Sequence, residues 1–412
     1  MNASPTPAPL RLATRTTRIE PFHVMELVKR ARSLEAAGRS IIHLSIGEPD
    51  FTAAPPVVAA AKRALDAGRT GYTAALGLQA LREAIARHAG QAHDVELDPG
   101  RVVVTAGASA ALLLACCALV EPGSQVLMAD PCYPCNRHFV SAFDGVPVPI
   151  PVGPAGRFQL DAATVAAHWG EAVRGVLLAT PSNPTGTSIA FDELARLVDT
   201  ARARGGFTLV DEIYLDLSYG ERPRSAVALG EDVLVAGSFS KFFHMTGWRL
   251  GWLVVPPALV DTFEKLAQNL FICPSALAQQ AALACFEPEA MALYRQRREE
   301  FRARRDYLVP ALRGLGFGVP VEPDGAFYVY ADCSPFSADS EAFARAMLEE
   351  AGVAMVPGLD FGEHERARYL RVSYATSMDH LQEAVARLRA WLPAAGRTGV
   401  SVPSSPSPAA PP

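Results

Sequence analysis

Ser238-Phe239-Ser240-Lys241-Phe242-Phe243-His244-Met245-Thr246-Gly247-Trp248-Arg249 follows the apolar run Val233 to Gly237 and sets one lysine among aromatic residues. An apolar run ending in such a segment reads as a buried strand that delivers a reactive group to its carboxyl end. A lysine in apolar surroundings loses the solvation that keeps it protonated, so its pKa falls and its amine can form a Schiff base with an aldehyde. Ser238 and Arg249 suit a phosphate beside that amine. A solvated surface lysine with a chance Ser-x-x-Lys spacing would read the same, so the partners must come from elsewhere in the chain.

Outward from this stretch, short apolar segments alternate with amphipathic ones. Strands are expected over 102–105, 125–129, 175–179, 207–210, 234–237 and 250–255, and helices over 108–119, 191–204, 260–269 and 287–312. The alternation predicts an α/β fold with a mostly parallel central sheet flanked by helices, ligands sitting beyond the strands' carboxyl ends. From about Glu289 the pattern changes to a long charged helix, strands over 325–330 and 369–373, and a helix over 340–351 between them. This reads as a second, smaller α+β domain, with an active site in the cleft between the two. The expected division is a disordered tail over 1–18, a large domain over 51–287, a small domain from 19–50 and 288–393, and a disordered Pro/Ser/Ala-rich tail over 394–412.

With 412 residues, half of them apolar and a fifth charged, the chain has ample material for a buried core. A formal net charge of -5 gives no general attraction to nucleic acid or an anionic membrane. The longest apolar run, near Ala110 to Val120, is too short to span a bilayer. The N-terminus has no secretory h-region, and its prolines argue against an amphipathic transit helix, so a cytoplasmic protein is expected. Seven cysteines, an odd count scattered through apolar segments, do not make a disulfide framework. Cys132-Tyr133-Pro134-Cys135 has redox spacing, yet it lacks a thioredoxin-like neighbourhood and reads as two reduced packing cysteines. No metal-binding set is expected.

Three further segments carry chemistry. Asp211, in Asp211-Glu212-Ile213-Tyr214, ends the strand expected over 207–210, where a carboxylate either caps the strand or keeps a pyridine nitrogen protonated. Asn183, in Pro181-Ser182-Asn183-Pro184-Thr185-Gly186, is either a turn residue or a donor to a phenolate oxygen. Thr105-Ala106-Gly107-Ala108-Ser109-Ala110 is a small-residue turn into a helix, shaped either by tight packing or by an anion at the helix N-terminus.

In this order the segments resemble the class I/II aminotransferases, pyridoxal 5'-phosphate enzymes of fold type I similar to aspartate aminotransferase. Gly47-Glu48-Pro49-Asp50-Phe51, Tyr72-Thr73-Ala74-Ala75-Leu76-Gly77, Asp130-Pro131-Cys132-Tyr133-Pro134 and Leu370-Arg371-Val372-Ser373 add to the likeness, which runs from about Ile19 to Leu392. The resemblance implies that Lys241 forms the Schiff base, with Asp211 on the pyridine nitrogen and Asn183 and Tyr214 on the phenolic oxygen. It implies that Ser238, Arg249 and the Ala108 and Ser109 amides hold the phosphate, and that Tyr133 stacks on the ring. Arg371 would clamp the substrate α-carboxylate, with Gly47 approaching it by backbone, and Tyr72 would reach the phosphate of a neighbouring subunit. A homodimer with shared sites follows. His244 departs from the family, which has a small residue there; it is expected to be a packing residue.

The implied activity is ping-pong transfer of an amino group between an L-amino acid and a 2-oxo acid. The base rate of the family favours an aspartate-type enzyme with 2-oxoglutarate as acceptor. The mainly apolar segment Pro21-Phe22-His23-Val24-Met25 leans instead toward alanine, aromatic or other hydrophobic amino acids. A C-S β-lyase of the same cofactor is the other alternative. Regulators that resemble these enzymes carry an N-terminal DNA-binding domain, and with about eighteen residues ahead of the likeness none is expected here.

Overall fold

The structure, a computed structural model, describes residues 10–21 and 23–395. In chain order its strands are β1 (Ile42–His43), β2 (Val102–Thr105), β3 (Gln125–Asp130), β4 (Val146–Pro151), β5 (Val173–Ala179), β6 (Phe207–Asp211), β7 (Leu234–Ser238), β8 (Gly251–Val254), β9 (Tyr328–Asp332), β10 (Val353–Ala354), β11 (Val356–Pro357) and β12 (Tyr369–Ser373). Seven of them make one sheet in the order β2-β8-β7-β6-β5-β3-β4. Only β8 runs antiparallel to its neighbours; the other pairings are parallel. The expected α/β class is therefore what the chain forms.

The central strands are rich in Val and Leu and buried along most of their length, as parallel strands covered by helices on both faces must be. Parallel direction brings Thr105, Ala179, Asp211 and Ser238 to one edge of the sheet. Because β8 runs the other way, its first residue Gly251 lies opposite both Thr105 and Ser238. Arg249, two residues upstream, thereby arrives at the same edge.

Three smaller pieces complete the scaffold. β12 lies between β11 and β9, antiparallel to both, and β1 pairs parallel with β10. The Ser373 amide donates to the Leu44 carbonyl, which ties residues 42–44 to the far end of the chain. The long helix Pro288–Leu315 is joined to the same region through Arg304, whose guanidinium takes both oxygens of Asp50 at 2.7 and 3.0 Å.

Local departures from expectation have local causes. β4 reads Val-Pro-Val-Pro-Ile-Pro; prolines lack the amide a central strand needs, and they are tolerated because β4 sits at the sheet edge. The strand expected over 325–330 starts only at Tyr328, since Ala326 adopts φ +56°. The helix expected over 340–351 is α-helical over Ser340–Ala346 and widens to a π-turn over Met347–Ala351, stopped by Gly352 at φ +68°. Helices Pro55–Asp66, Gln79–His93 and Met378–Ala395 were not individually foreseen.

The tail expected to be disordered over 1–18 lies partly outside the described residues. Within it Thr14–Arg18 forms a 3-10 turn, and Arg15 and Arg18 pair with Asp144. Of the second tail, residues 394 and 395 close the last helix and 396–412 lie outside the described residues. Among the described residues no helix is long and apolar enough to cross a membrane.

Candidate active site

A cavity of about 670 Å3 lies along the carboxyl edge of the central sheet and is closed on the other side by β12, β9 and the segment around Gly47. Eleven of the twelve residues singled out from sequence line it: Lys241, Asp211, Tyr214, Asn183, Tyr133, Ser238, Arg249, Ala108, Ser109, Gly47 and Arg371. Tyr72 does not, and it stands 85% exposed.

Lys241 follows β7 after a two-residue step. Its Nζ donates to the Gly47 carbonyl at 2.7 Å, and the rings of Tyr214 and Phe327 lie 5.7 and 5.9 Å away. Burial, with Arg371 and Arg249 adding to it, pushes the amine down to about 8. A far larger share of it is thus neutral and nucleophilic near physiological pH than of an ordinary lysine.

Asp211 is the last residue of β6 and its carboxylate accepts from the Ile213 amide at 3.2 Å. Burial pushes it up to about 6 against the pull of that amide and of Lys241. A buried carboxylate so sparsely bonded is suited to a cationic N–H donor. Tyr214, 3% exposed, shares a 2.9 Å hydrogen bond with the hydroxyl of Tyr328.

At the opposite end, helix Ala108–Leu119 begins after Gly107 without a side-chain cap, so its first amides face the cavity. Gly107 has φ +83°, and a Cβ there would sit 2.5 Å from Arg249 Nη2. The arginine therefore packs directly over the turn. Ser238 and Ser240 are beside it, with Arg249 Nη1 reaching Ser240 Oγ at 3.5 Å. Uncapped amides, a guanidinium and hydroxyls together make an anion site.

Arg371, on β12 and 6% exposed, donates to Asn183 Oδ1 at 3.0 Å and to the Ser45 carbonyl at 2.7 Å. Its Nε is buried without a partner, and its cation lies over the rings of Tyr328 and Phe361 at 4.6 and 5.0 Å. A guanidinium on a cavity wall can take a carboxylate. Sequence reasoning did not name Tyr328, Ser45 or Phe361. Tyr328 belongs to β9, diagonally across from Arg371 on β12, a relation that exists only after the strands pair.

The cavity thus combines a depressed amine, a buried carboxylate and an anion site. That donor set fits the aldehyde, pyridine nitrogen and phosphate of pyridoxal 5'-phosphate, and the Arg371 guanidinium fits a substrate carboxylate beside it.

Two questions from the sequence are answered by burial. Cys132 is pushed up to about 12 and Cys135 is raised, both by burial first, which disfavours the thiolate a redox pair needs. All seven cysteines are free. His244 packs edge-on against Phe51 and near Tyr294, at 5.3 and 5.5 Å, and does not line the cavity. Neither of its ring nitrogens has a partner, and burial, with Arg297 adding to it, pushes it down to about 3.

The family model for aminotransferase class I and II matches residues 39–388. A valine–pyruvate aminotransferase of Mycobacterium tuberculosis is 40% identical over 377 residues, covering 91% of this chain and 97% of that protein. The aspartate aminotransferase of Geobacillus stearothermophilus is 31% identical over 395 residues, covering 93% and 100%. Among solved structures, an aminotransferase from Mycobacterium tuberculosis superposes with a TM-score of 0.90 at 39% identity, covering 94% of this chain and all of that one. Aspartate aminotransferase of Thermus thermophilus with maleate does so at 0.87 and 31%, covering 92% and 99%.

Proposed function

The chain belongs to the class I and II aminotransferases, a family of pyridoxal-phosphate enzymes, and from that premise we propose that its amino donor carries an aliphatic or other apolar side chain and its acceptor is a small 2-oxo acid such as pyruvate. The observation that carries this reading is the cavity wall. Val24, Met25, Val28, Ile46, Leu112 and Ile213 line it together with Arg371. Apolar walls favour an apolar substituent once its carboxylate is fixed. The relative named for valine and pyruvate is 40% identical, against 31% for the Geobacillus relative named for aspartate.

The aspartate-type reading with 2-oxoglutarate has one supporting feature. Arg32 lines the mouth of the same cavity, exposed, with no hydrogen bond or ion pair among the described residues, and such a cation suits a distal carboxylate.

Pyridoxal 5'-phosphate, when bound, supplies an aldehyde for the amino group and an electron-withdrawing ring. Lys241 is the residue that would hold it covalently, with the Ala108 and Ser109 amides, Ser238 and Arg249 on its phosphate. Asp211 would keep the proton on its pyridine nitrogen, Asn183 and Tyr214 would face its phenolic oxygen, and Tyr133 would cover its ring. Arg371 orients the amino acid by its α-carboxylate, next to the Gly47 backbone. Lys241, neutral above about pH 8, takes the proton from the substrate Cα and holds it at Nζ.

The exposed Tyr72 supports a homodimer in which that side chain completes the partner's site. We place the enzyme in the cytoplasm, and divide it into a large domain over 51–287 and a small one from 19–50 and 288–393. Pairing of 42–44 with 353–354 and 373 supports that division.

A half-reaction screen tests the substrate. Holoenzyme is mixed with valine, leucine, alanine, aspartate or glutamate in turn, without an oxo acid, and cofactor absorbance is followed. Conversion by the apolar amino acids with aspartate inert is the expected result. Conversion by aspartate and glutamate alone would overturn the apolar reading in favour of the aspartate type. Pyruvate and ammonia released from cysteine conjugates without any acceptor would mean a C-S β-lyase.

A further inference from the structure

The turn Asp211-Glu212-Ile213-Tyr214-Leu215-Asp216 faces two cavities. Asp211 and Tyr214 line the active-site cavity, while Glu212 and Asp216 line a second, smaller one of about 40 Å3 together with His88, His93 and Ser225. Ile213 and Ser238 belong to the walls of both. The turn is stiff, since the Leu215 amide bonds the Glu212 carbonyl and the Leu217 amide bonds that of Tyr214. Glu212 accepts from Ser225 Oγ at 2.7 Å and from the Ala226 amide at 2.6 Å.

Two histidines of helix Gln79–His93 converge on Asp216. His88 Nε2 lies 3.0 Å from Oδ2, and His93 Nε2 lies 3.3 Å from Oδ1. The other ring nitrogen of His93, Nδ1, lies 3.1 Å from the Pro223 carbonyl. A carbonyl can only accept, and so can an ionised carboxylate. Both nitrogens of His93 therefore face acceptors, whereas a neutral imidazole carries one N–H.

The surroundings offer no substitute for the missing charge. The groups that face His93 are His88 from its own helix, Glu212 and Asp216 from the turn, and Pro223 from the loop beyond. Arg222 in that loop is engaged by the carbonyls of Gly90, Gln91 and Ala92. Among the described residues no lysine or arginine pairs with Asp216 or Glu212.

We propose that His93 is a positioning residue of the active site: as an imidazolium shared between the Pro223 carbonyl and Asp216, it clamps the turn that carries Asp211 and Tyr214 onto helix Gln79–His93. The inference rests on the assignment of Asp211 and Tyr214 to the cofactor. Burial works against a charge on His93, but the hydrogen bond and charge of Asp216, with help from Glu212 and the Pro223 carbonyl, outweigh it and raise its pKa. Burial would likewise raise Asp216, yet His88 and His93 hold it far below the usual carboxylate range. The histidine's contribution is complete below about pH 6.5, the ordinary histidine value, and is lost as pH rises through its raised folded value.

The test compares wild-type holoenzyme with His93→Gln, which keeps a donor toward Asp216 and removes the charge. The expected variant loses on the order of tenfold to a hundredfold in kcat, the scale for a misplaced catalytic group, with KM for the amino acid little changed. It should also lack an alkaline fall in kcat that the wild type shows. A variant with wild-type kcat across the pH range would overturn the proposal. Should the variant not fold, nitrogen NMR of 15N-histidine-labelled wild type followed through a pH titration decides: an imidazole that keeps both nitrogens protonated above the ordinary histidine value supports it, and nine rings that are all neutral above that value overturn it. One equivalent of tightly bound zinc per chain would place a different cation between His93 and Asp216 and would also overturn it. A wild type that takes up no pyridoxal phosphate would defeat the cofactor assignment and leave the nitrogen resonances to decide the protonation state.

Discussion

The surroundings of Lys241 disfavour its charge, and the role proposed for it has a pH signature. Cofactor-free protein should take up pyridoxal phosphate at a rate that climbs with pH and levels off above about 8, since the neutral amine is the nucleophile. Stopped-flow absorbance measures it; a pH-independent rate would remove the lysine from that role, as would a borohydride-reducible adduct in Lys241→Ala. Arg371→Ala should raise KM broadly across amino acids by about 2 to 5 kcal/mol of lost binding, the range for truncating a buried charged partner. Steady-state kinetics with several donors checks this, and one unaffected donor would limit the clamp to the others. His244 makes the opposite prediction. Its buried nitrogens have no partner, so His244→Phe should keep activity and hold or raise stability by about 1 kcal/mol in urea unfolding.

At the scale of elements, the turn from β2 into helix Ala108–Leu119 works because Gly107 has no side chain. A valine there would have to adopt φ +83° with its Cβ 2.5 Å from the Arg249 guanidinium. Strain of about 1 to 3 kcal/mol should weaken pyridoxal phosphate binding about tenfold or more in Gly107→Val, read by absorbance titration; unchanged affinity would show that Arg249 moves freely. Strands and helices around this turn were legible because their apolar spacing is local: 102–105, 108–119 and 369–373 fall where the pattern puts them. β4 was not legible, because its prolines argue against a strand until the sheet edge is known. The late start of β9 was hidden for a similar reason, since nothing in Gly325-Ala326 announces a positive φ at an alanine.

Tyr72 gives the whole molecule its test. An aromatic side chain 85% exposed has a purpose if it belongs to a neighbour's site. Tyr72→Ala and Lys241→Ala subunits, each impaired alone, should regain about one working site per mixed dimer, because the first supplies the lysine and the second the tyrosine. Activity after co-refolding measures it, and absence of complementation would place Tyr72 in its own subunit's site or in none. Chain order alone settles which residues end which strand, so Asp211, Lys241, Ala108 and Ser109 could be read directly: covalent adjacency to an apolar run puts them at a carboxyl edge. Folding decided which of these ends meet. Arg371 finds Asn183 and Ser45 across 188 and 326 residues, and Lys241 finds the Gly47 carbonyl across 194. His93 reaches Asp216 from a helix that no apolar pattern ties to the active-site turn. Contacts of this kind depend on the summed packing of whole layers, and no stretch of sequence carries that sum.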